Sequence, residues 1–149
     1  MTDEFDLSRF VDAQSRDHAQ ALAELRAGNK QSHWIWYVLP QLRGLGMSQA
    51  SAYYGIDGAA EAKAYLAHPV LGARLIECVA AVNALTGRTA TQIFGSVDAM
   101  KFRSCLTLFA EVADDPAPFR TALERYFGGE ADGRTLELLR HTPRRSRDS

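Results

Sequence analysis

The sequence predicts an all-α fold, a compact orthogonal bundle or short α/α superhelix of about seven to eight helices. Two features carry that expectation. Apolar residues recur at three- and four-residue spacing from one end of the chain to the other, and no period-two stretch is present to build a sheet. The breaks between the periodic segments are short and marked by Gly or Pro, as in helices that turn back on their neighbours.

Leu7, Phe10, Val11, Gln14, His18, Leu22 and Leu25 set the first helix, with Asp6 as the expected N-cap and Gly28 placed to end it. The second element holds Ser32 to Leu39 and stops at Pro40. Its Trp-Ile-Trp-Tyr-Val run has strand propensity, but a single strand with no partner favours a helix. Arg43-Gly-Leu-Gly46 reads as a turn, after which Ser48 caps a short helix to Tyr54 that Gly55 closes. Asp57 is the expected cap of a helix through Glu61, Tyr65 and Leu66. Pro69 suits the first turn of the next, with His68 as a cap or turn residue and Leu71, Leu75, Cys78, Val79, Val82 and Leu85 on one stripe. Residues 89–94 give a turn or two. Ser96 is the expected cap of a long helix that faces Phe102, Cys105, Leu106, Phe109 and Val112 to the core. Pro116 or Pro118 opens another, carrying Phe119, Leu123, Tyr126 and Phe127 and closed by Gly128-Gly129. Asp132 caps a last short one with Leu136 and Leu139.

The 149 residues suit one domain able to bury its own core, with 46% hydrophobic and 23% charged residues. We expect a single helical domain over 1–139 and a basic C-terminal tail over 140–149, where Arg140, Arg144, Arg145 and Arg147 cluster. No apolar run approaches the ~20 residues of a membrane span and the N-terminus is acidic, so a cytoplasmic protein without a membrane partner is expected. The net charge of −1 supplies no field for nucleic acid; only the tail speaks for such a partner. Cys78 and Cys105 lie in apolar helical patterns and read as buried thiols. No His, Cys or carboxylate set has metal-ligand spacing and no nucleotide-loop fingerprint occurs, so neither metal nor cofactor is expected.

Two stretches carry the chemistry. Residues 30–46 hold both tryptophans, Trp34 and Trp36, bracketed by Lys30, His33, Gln41 and Arg43. Aromatics give contact area and π faces, and the polar groups give orientation and charge. The long helix after Ser96 sets Lys101, Arg103, Ser104 and Thr107 off from its apolar stripe, a cationic and hydroxyl-bearing face suited to an oxyanion. Each of these residues also has a plain packing role open to it.

The order of these pieces resembles one family. The pieces are His33-Trp34-x-Trp36 into Pro40-Gln41, Gly44-Leu45-Gly46, Glu61-Ala62-x-Ala64-Tyr65-Leu66, His68-Pro69, and Leu71-Gly72-x-Arg74-Leu75. Ile93-Phe94-Gly95, Asp98, Lys101, Arg103-Ser104 and Thr107-Leu108-Phe109 continue the series. Together they are similar to the uncharacterised bacterial domain-of-unknown-function family numbered 1810, from about Phe5 to Leu139. The resemblance implies an all-α, stand-alone cytoplasmic protein and brings no activity or catalytic residue with it.

Two functional readings follow. In the first, the Trp segment and the Lys101/Arg103/Ser104 helix face meet across a cleft that holds a small nucleotide- or phosphate-like anion. A Trp would stack on the base, and Lys101, Arg103 and Arg43 would hold the charge. Its catalytic extension makes His33 a general base and Arg103 a charge stabiliser. In the second, the domain is a protein-interaction or regulatory module without ligand chemistry.

Overall fold

The computed structural model describes residues 5–141. Among them are nine α-helices: α1 (Ser8–Ala27), α2 (Ile35–Val38), α3 (Gln49–Tyr54), α4 (Ala59–Ala67), α5 (Leu71–Asn83), α6 (Ala90–Phe94), α7 (Ser96–Val112), α8 (Ala117–Phe127) and α9 (Gly133–His141). No strand accompanies them among the described residues; an isolated parallel bridge joins Leu42 to Ile56. The all-α expectation holds; α2 and α3 fall where short helices were expected, and residues 89–94, read as a turn or two, form the helix α6 and bring the described helices to nine. Residues 142–149 of the basic stretch lie outside the described residues, and Arg140 belongs to α9.

Most helix ends follow the sequence signals. Gly28 adopts φ 72° and terminates α1 in the left-handed region that a residue with a Cβ avoids. Ser48 accepts the Ser51 amide, Thr89 forms a capping box with Gln92, and Asp132 accepts the Thr135 amide. His68 Nδ1 accepts the Val70 amide at 3.1 Å and the Leu71 amide at 3.3 Å, so it caps α5 across Pro69. Three caps differ. Asp6 sits at φ 55° and takes the Ser8 hydroxyl instead of a helix amide, Gly58 stands where Asp57 was expected, and Gly95 where Ser96 was. At the second of these, the Asp57 amide is already held by the Glu61 carboxylate.

The segment 32–39 differs more. Its helix is only Ile35–Val38. The amides of Gln31 and Ser32 donate to the Glu24 carboxylate at 2.8 and 3.0 Å, which ties residues 30–34 to α1 as an irregular strap. Pro40 stops the helix at its other end.

α7 is the central element. Phe102, Cys105, Leu106, Leu108 and Phe109 are fully buried on it, and α2, α4, α6, α8 and α9 pack around them. α5 packs against α1, α4 and α8 and completes the core. Phe10, Tyr65, Phe109 and Phe119 form a chain of ring contacts with centroids 5.1 to 6.0 Å apart, worth about 0.5–1.5 kcal/mol per pair beyond the area they bury. A buried ion pair, Arg9 to Glu61 at 2.8 Å, locks α1 to α4; Arg9 also donates to the carbonyls of Phe5, Asp6, Tyr53 and Gly55. That complete satisfaction is what makes two buried charges tolerable. No single described helix is long and apolar enough to cross a membrane.

The α4–α5 corner turns through 89°. Gly72 makes it possible: a Cβ there would lie 2.1 Å from the Leu66 carbonyl oxygen, inside van der Waals contact with backbone that cannot step aside. Replacing Gly72 with Ala will therefore destabilise the fold by about 2–3 kcal/mol. Thermal denaturation should show a Tm fall of about 5–10 °C; an unchanged Tm would mean that the two helices slide apart at no cost.

Candidate functional site

The strap between α1 and α2 is built on one carboxylate. Glu24 is buried, and its two oxygens accept five hydrogen bonds: from the Gln31 amide, the Ser32 amide and hydroxyl, the Gln20 amide group, and the indole N–H of Trp34 at 2.9 Å. Burial works against the charge. The hydrogen bonds from Gln20, Ser32 and the Gln31 and Ser32 amides outweigh it and hold the carboxyl well below the usual range.

The two tryptophans are thereby given different places. Trp34 is 1% exposed and belongs to the core, with the Lys30 ammonium 5.0 Å from its ring centroid. Trp36 is half-buried, and the Lys101 ammonium stands 4.5 Å over its ring. Asp98 joins the two pairs. One oxygen is 2.7 Å from Lys30 Nζ and the other 3.1 Å from Lys101 Nζ. Burial again opposes the charge, and the hydrogen bonds from the two lysines more than offset it, so the Asp98 carboxyl is held below its ordinary value.

Lys101 is also on the wall of an open cleft of about 290 Å³. Val97, Met100 and Ser104 extend that wall along α7; Gln41, Leu45 and Gly46 form the side facing it, and Asp132 and Arg134 close the end at the start of α9. Gly44 turns the facing segment at φ 101°, and a Cβ on Gly46 would meet Ser51 Oγ at 2.7 Å, so the turn after Pro40 needs glycine at both positions. Gln41 is 8% exposed and fixed by its carbonyl, which accepts the Ile56 amide at 2.9 Å. Ser104 donates to the Met100 carbonyl at 3.2 Å.

Of the residues singled out in the sequence, Gln41, Lys101 and Ser104 meet at this cleft, with Trp36 beneath Lys101. The others are elsewhere. Lys30 has a side chain 5% exposed and spends itself on Asp98 and the Ser32 carbonyl. Arg43 donates to the Ala52 carbonyl and pairs with Asp57 at 3.0 Å. Arg103 points to the loop after α8 and donates to the carbonyls of Glu130 and Ala131. Thr107 donates to the Arg103 carbonyl and accepts the Asp132 amide, fastening the same loop. His33 is exposed and is not part of the cleft wall. Arg134 is the charged cleft residue that the sequence did not mark. Nothing local distinguishes it; it arrives because α9 returns to the turn at Gly44, whose carbonyl lies 3.5 Å from its guanidinium.

A second concavity of about 470 Å³ lies between α4, α5 and the α7–α8 loop, with Leu66, Ile76, Val112 and Phe119 as its apolar wall and Lys63, Asp114 and Asp115 at its rim. It gathers fewer convergent polar groups. Among the described residues no group of three His, Cys, Asp or Glu side chains is placed to hold a metal ion. Cys78 and Cys105 are buried, and burial pushes the Cys78 thiol up to about 12, which leaves it without nucleophilic thiolate at neutral pH.

A helical domain with an open, polar-sided cleft beside its central helix defines the class, and comparison with known proteins supplies the family. Residues 4–139 match the family described as "Protein of unknown function (DUF1810)", and the chain belongs to it. The crystal structure of the conserved hypothetical protein Rv1873 from Mycobacterium tuberculosis is similar, with 48% identity and a TM-score of 0.92 over 94% of this chain and 100% of that one. No curated protein matches.

The Glu24 cluster can be tested by pH. Because the folded carboxyl titrates below its unfolded value of about 4.3, its stabilisation is complete above that pH and is lost as the pH falls toward the folded value. Glu24→Gln should cost about 1–3 kcal/mol at pH 7, and the gap to wild type should narrow below about pH 4, as read by urea denaturation at both pH values. A gap independent of pH would show that the charge is not what matters.

Proposed function

We propose that the protein binds a small organic anion in the cleft between the turn at 41–46 and α7, with Lys101 and Arg134 as the charge partners, the Gln41 amide as a neutral hydrogen-bonding group and Ser104 as part of the wall. One observation carries the reading. Lys30, Arg9 and Arg103 are committed to carboxylates and carbonyls of the fold, whereas Lys101 and Arg134 stand on the wall of an open concavity. Lys101 shares Asp98 with Lys30, so its charge is only partly neutralised where it sits. No catalytic step is part of this reading, since the Ser104 hydroxyl on the cleft wall donates to the Met100 carbonyl and not to a base.

A second reading has its own support. Val97 and Met100 on the cleft wall are 67% and 53% exposed, and Met47, next to Gly46, is fully exposed. Such an apolar rim also suits a protein partner of the interaction-module kind.

A thermal-shift panel of small carboxylates, sugar phosphates and nucleotides separates the two. A ligand bound only by the folded state raises Tm by mass action, about 2.7 kcal/mol at a hundredfold excess over Kd. We expect a shift in wild type and in Arg103→Ala, which loses stability but no cleft group, and none in Lys101→Ala or Arg134→Ala. A folded protein that no anion shifts would end the ligand reading in favour of the partner.

A further inference from the structure

We infer that the anion this cleft takes is an aliphatic monocarboxylate, its carboxylate on Lys101 and Arg134 and its hydrocarbon chain along Val97 and Met100. This rests on the reading of the cleft as an anion site and narrows it to a ligand class. Three observations point the same way.

The first is the charge. Lys30 and Lys101 share the single carboxylate of Asp98, and Asp132 beside Arg134 offsets that guanidinium, so these five groups leave one formal positive charge. Asp132 already accepts the Thr135 amide and hydroxyl at 2.9 and 2.6 Å, which holds it in place as part of the α9 cap. A monoanion is balanced there; a phosphate or nucleotide brings a second negative charge with no cation left for it.

The second is that the described residues lining the cleft offer no free aromatic face. Trp34 is inside the core. Trp36 carries the Lys101 ammonium on its ring, and its far edge lies within 3.6 Å of where a Gly46 Cβ would stand. A base seeking to stack would have to displace the lysine that binds the anion. The third is what the wall does offer. Val97 and Met100 sit one turn apart on α7, both more than half exposed, on the same wall as Lys101 and Ser104. Leu45 faces them across the cleft. An unbranched chain laid on this strip covers apolar surface that is otherwise wet, and methionine adapts to its shape.

The test uses the full chain labelled with ¹³C at the methionine methyl groups. The chain has three methionines, and Met100→Leu identifies one signal. Acetate, butyrate, octanoate, octanol, inorganic phosphate and AMP are titrated in turn. We expect the Met100 signal to move with octanoate. Affinity should rise two- to fourfold per methylene from butyrate to octanoate, the upper figure corresponding to about 0.8 kcal/mol for a fully buried CH₂. Lys101→Ala should weaken octanoate about tenfold or more and leave octanol unchanged. Phosphate or AMP binding at Met100 more tightly than octanoate would overturn the inference and leave the anion site standing. Octanol binding as well as octanoate, or no probe moving Met100, would remove both.

Discussion

A buried negative charge with every lone pair engaged organises the part of this fold from which the cleft is made. Glu24 gathers donors from one turn of its own helix, from two backbone amides of the following strap, from a hydroxyl and from an indole. Hydrogen bonds to a charged acceptor are worth about 1.5–3 kcal/mol each in favourable cases, and a buried carboxylate left short of them is expensive. The strap therefore has little choice of path. It must carry Trp34 inward, which sends the next tryptophan, Trp36, to the opposite side of the short α2 and toward α7. Everything on the 41–46 side of the cleft is positioned downstream of that commitment.

The remaining charge pairs follow the same economy. Arg9 with Glu61 closes the outside of α1 against α4, and Lys30 with Asp98 closes the strap against α7. The first pair is buried and the second partly so, and both are also hydrogen-bonded to backbone, a geometry in which losing one partner costs more than the pair contributes on its own. The same logic holds for Arg103, whose guanidinium replaces missing secondary structure by bonding two consecutive carbonyls of the loop before α9. Most cations that draw the eye in the sequence are thus internal staples.

How far the sequence reveals this depends on the range of the interaction. The helices α1, α5, α7 and α8 are legible because the apolar stripe and the stop residue lie within the element: Leu22 and Leu25 before Gly28, Phe119 and Leu123 before Gly128. The extent of α2 is not, because the carboxylate that claims the Gln31 and Ser32 amides ahead of it, and so keeps them out of the helix, is on another element. The cleft is legible by half. Gln41, Lys101 and Ser104 stand out as polar groups next to aromatics or on an otherwise apolar helix, and they converge. Arg103 shares the character of Lys101 two residues on, yet about 100° per residue turns it to another side of α7, where the next loop captures it. Arg134 lies in an ordinary solvated helix start, and only the return of α9 places it.

In the anion site we propose, Asp98 is where holding the fold and holding a ligand divide. Its two oxygens face two lysines that differ in accessibility, one sealed with a side chain 5% exposed and the other at 21% on the cleft wall. An anion that draws Lys101 away leaves the shorter, better buried Lys30 contact in place, so the strap keeps its anchor while the wall adjusts. Were the positions reversed, with the buried lysine serving the cleft, each binding event would pull on the core. The arrangement lets one carboxylate preset the Lys101 ammonium over Trp36 without making stability hostage to occupancy. It also limits the proposed site, because an anion bound there would compete with Asp98 for that ammonium and would have to bring contacts of its own from the apolar wall.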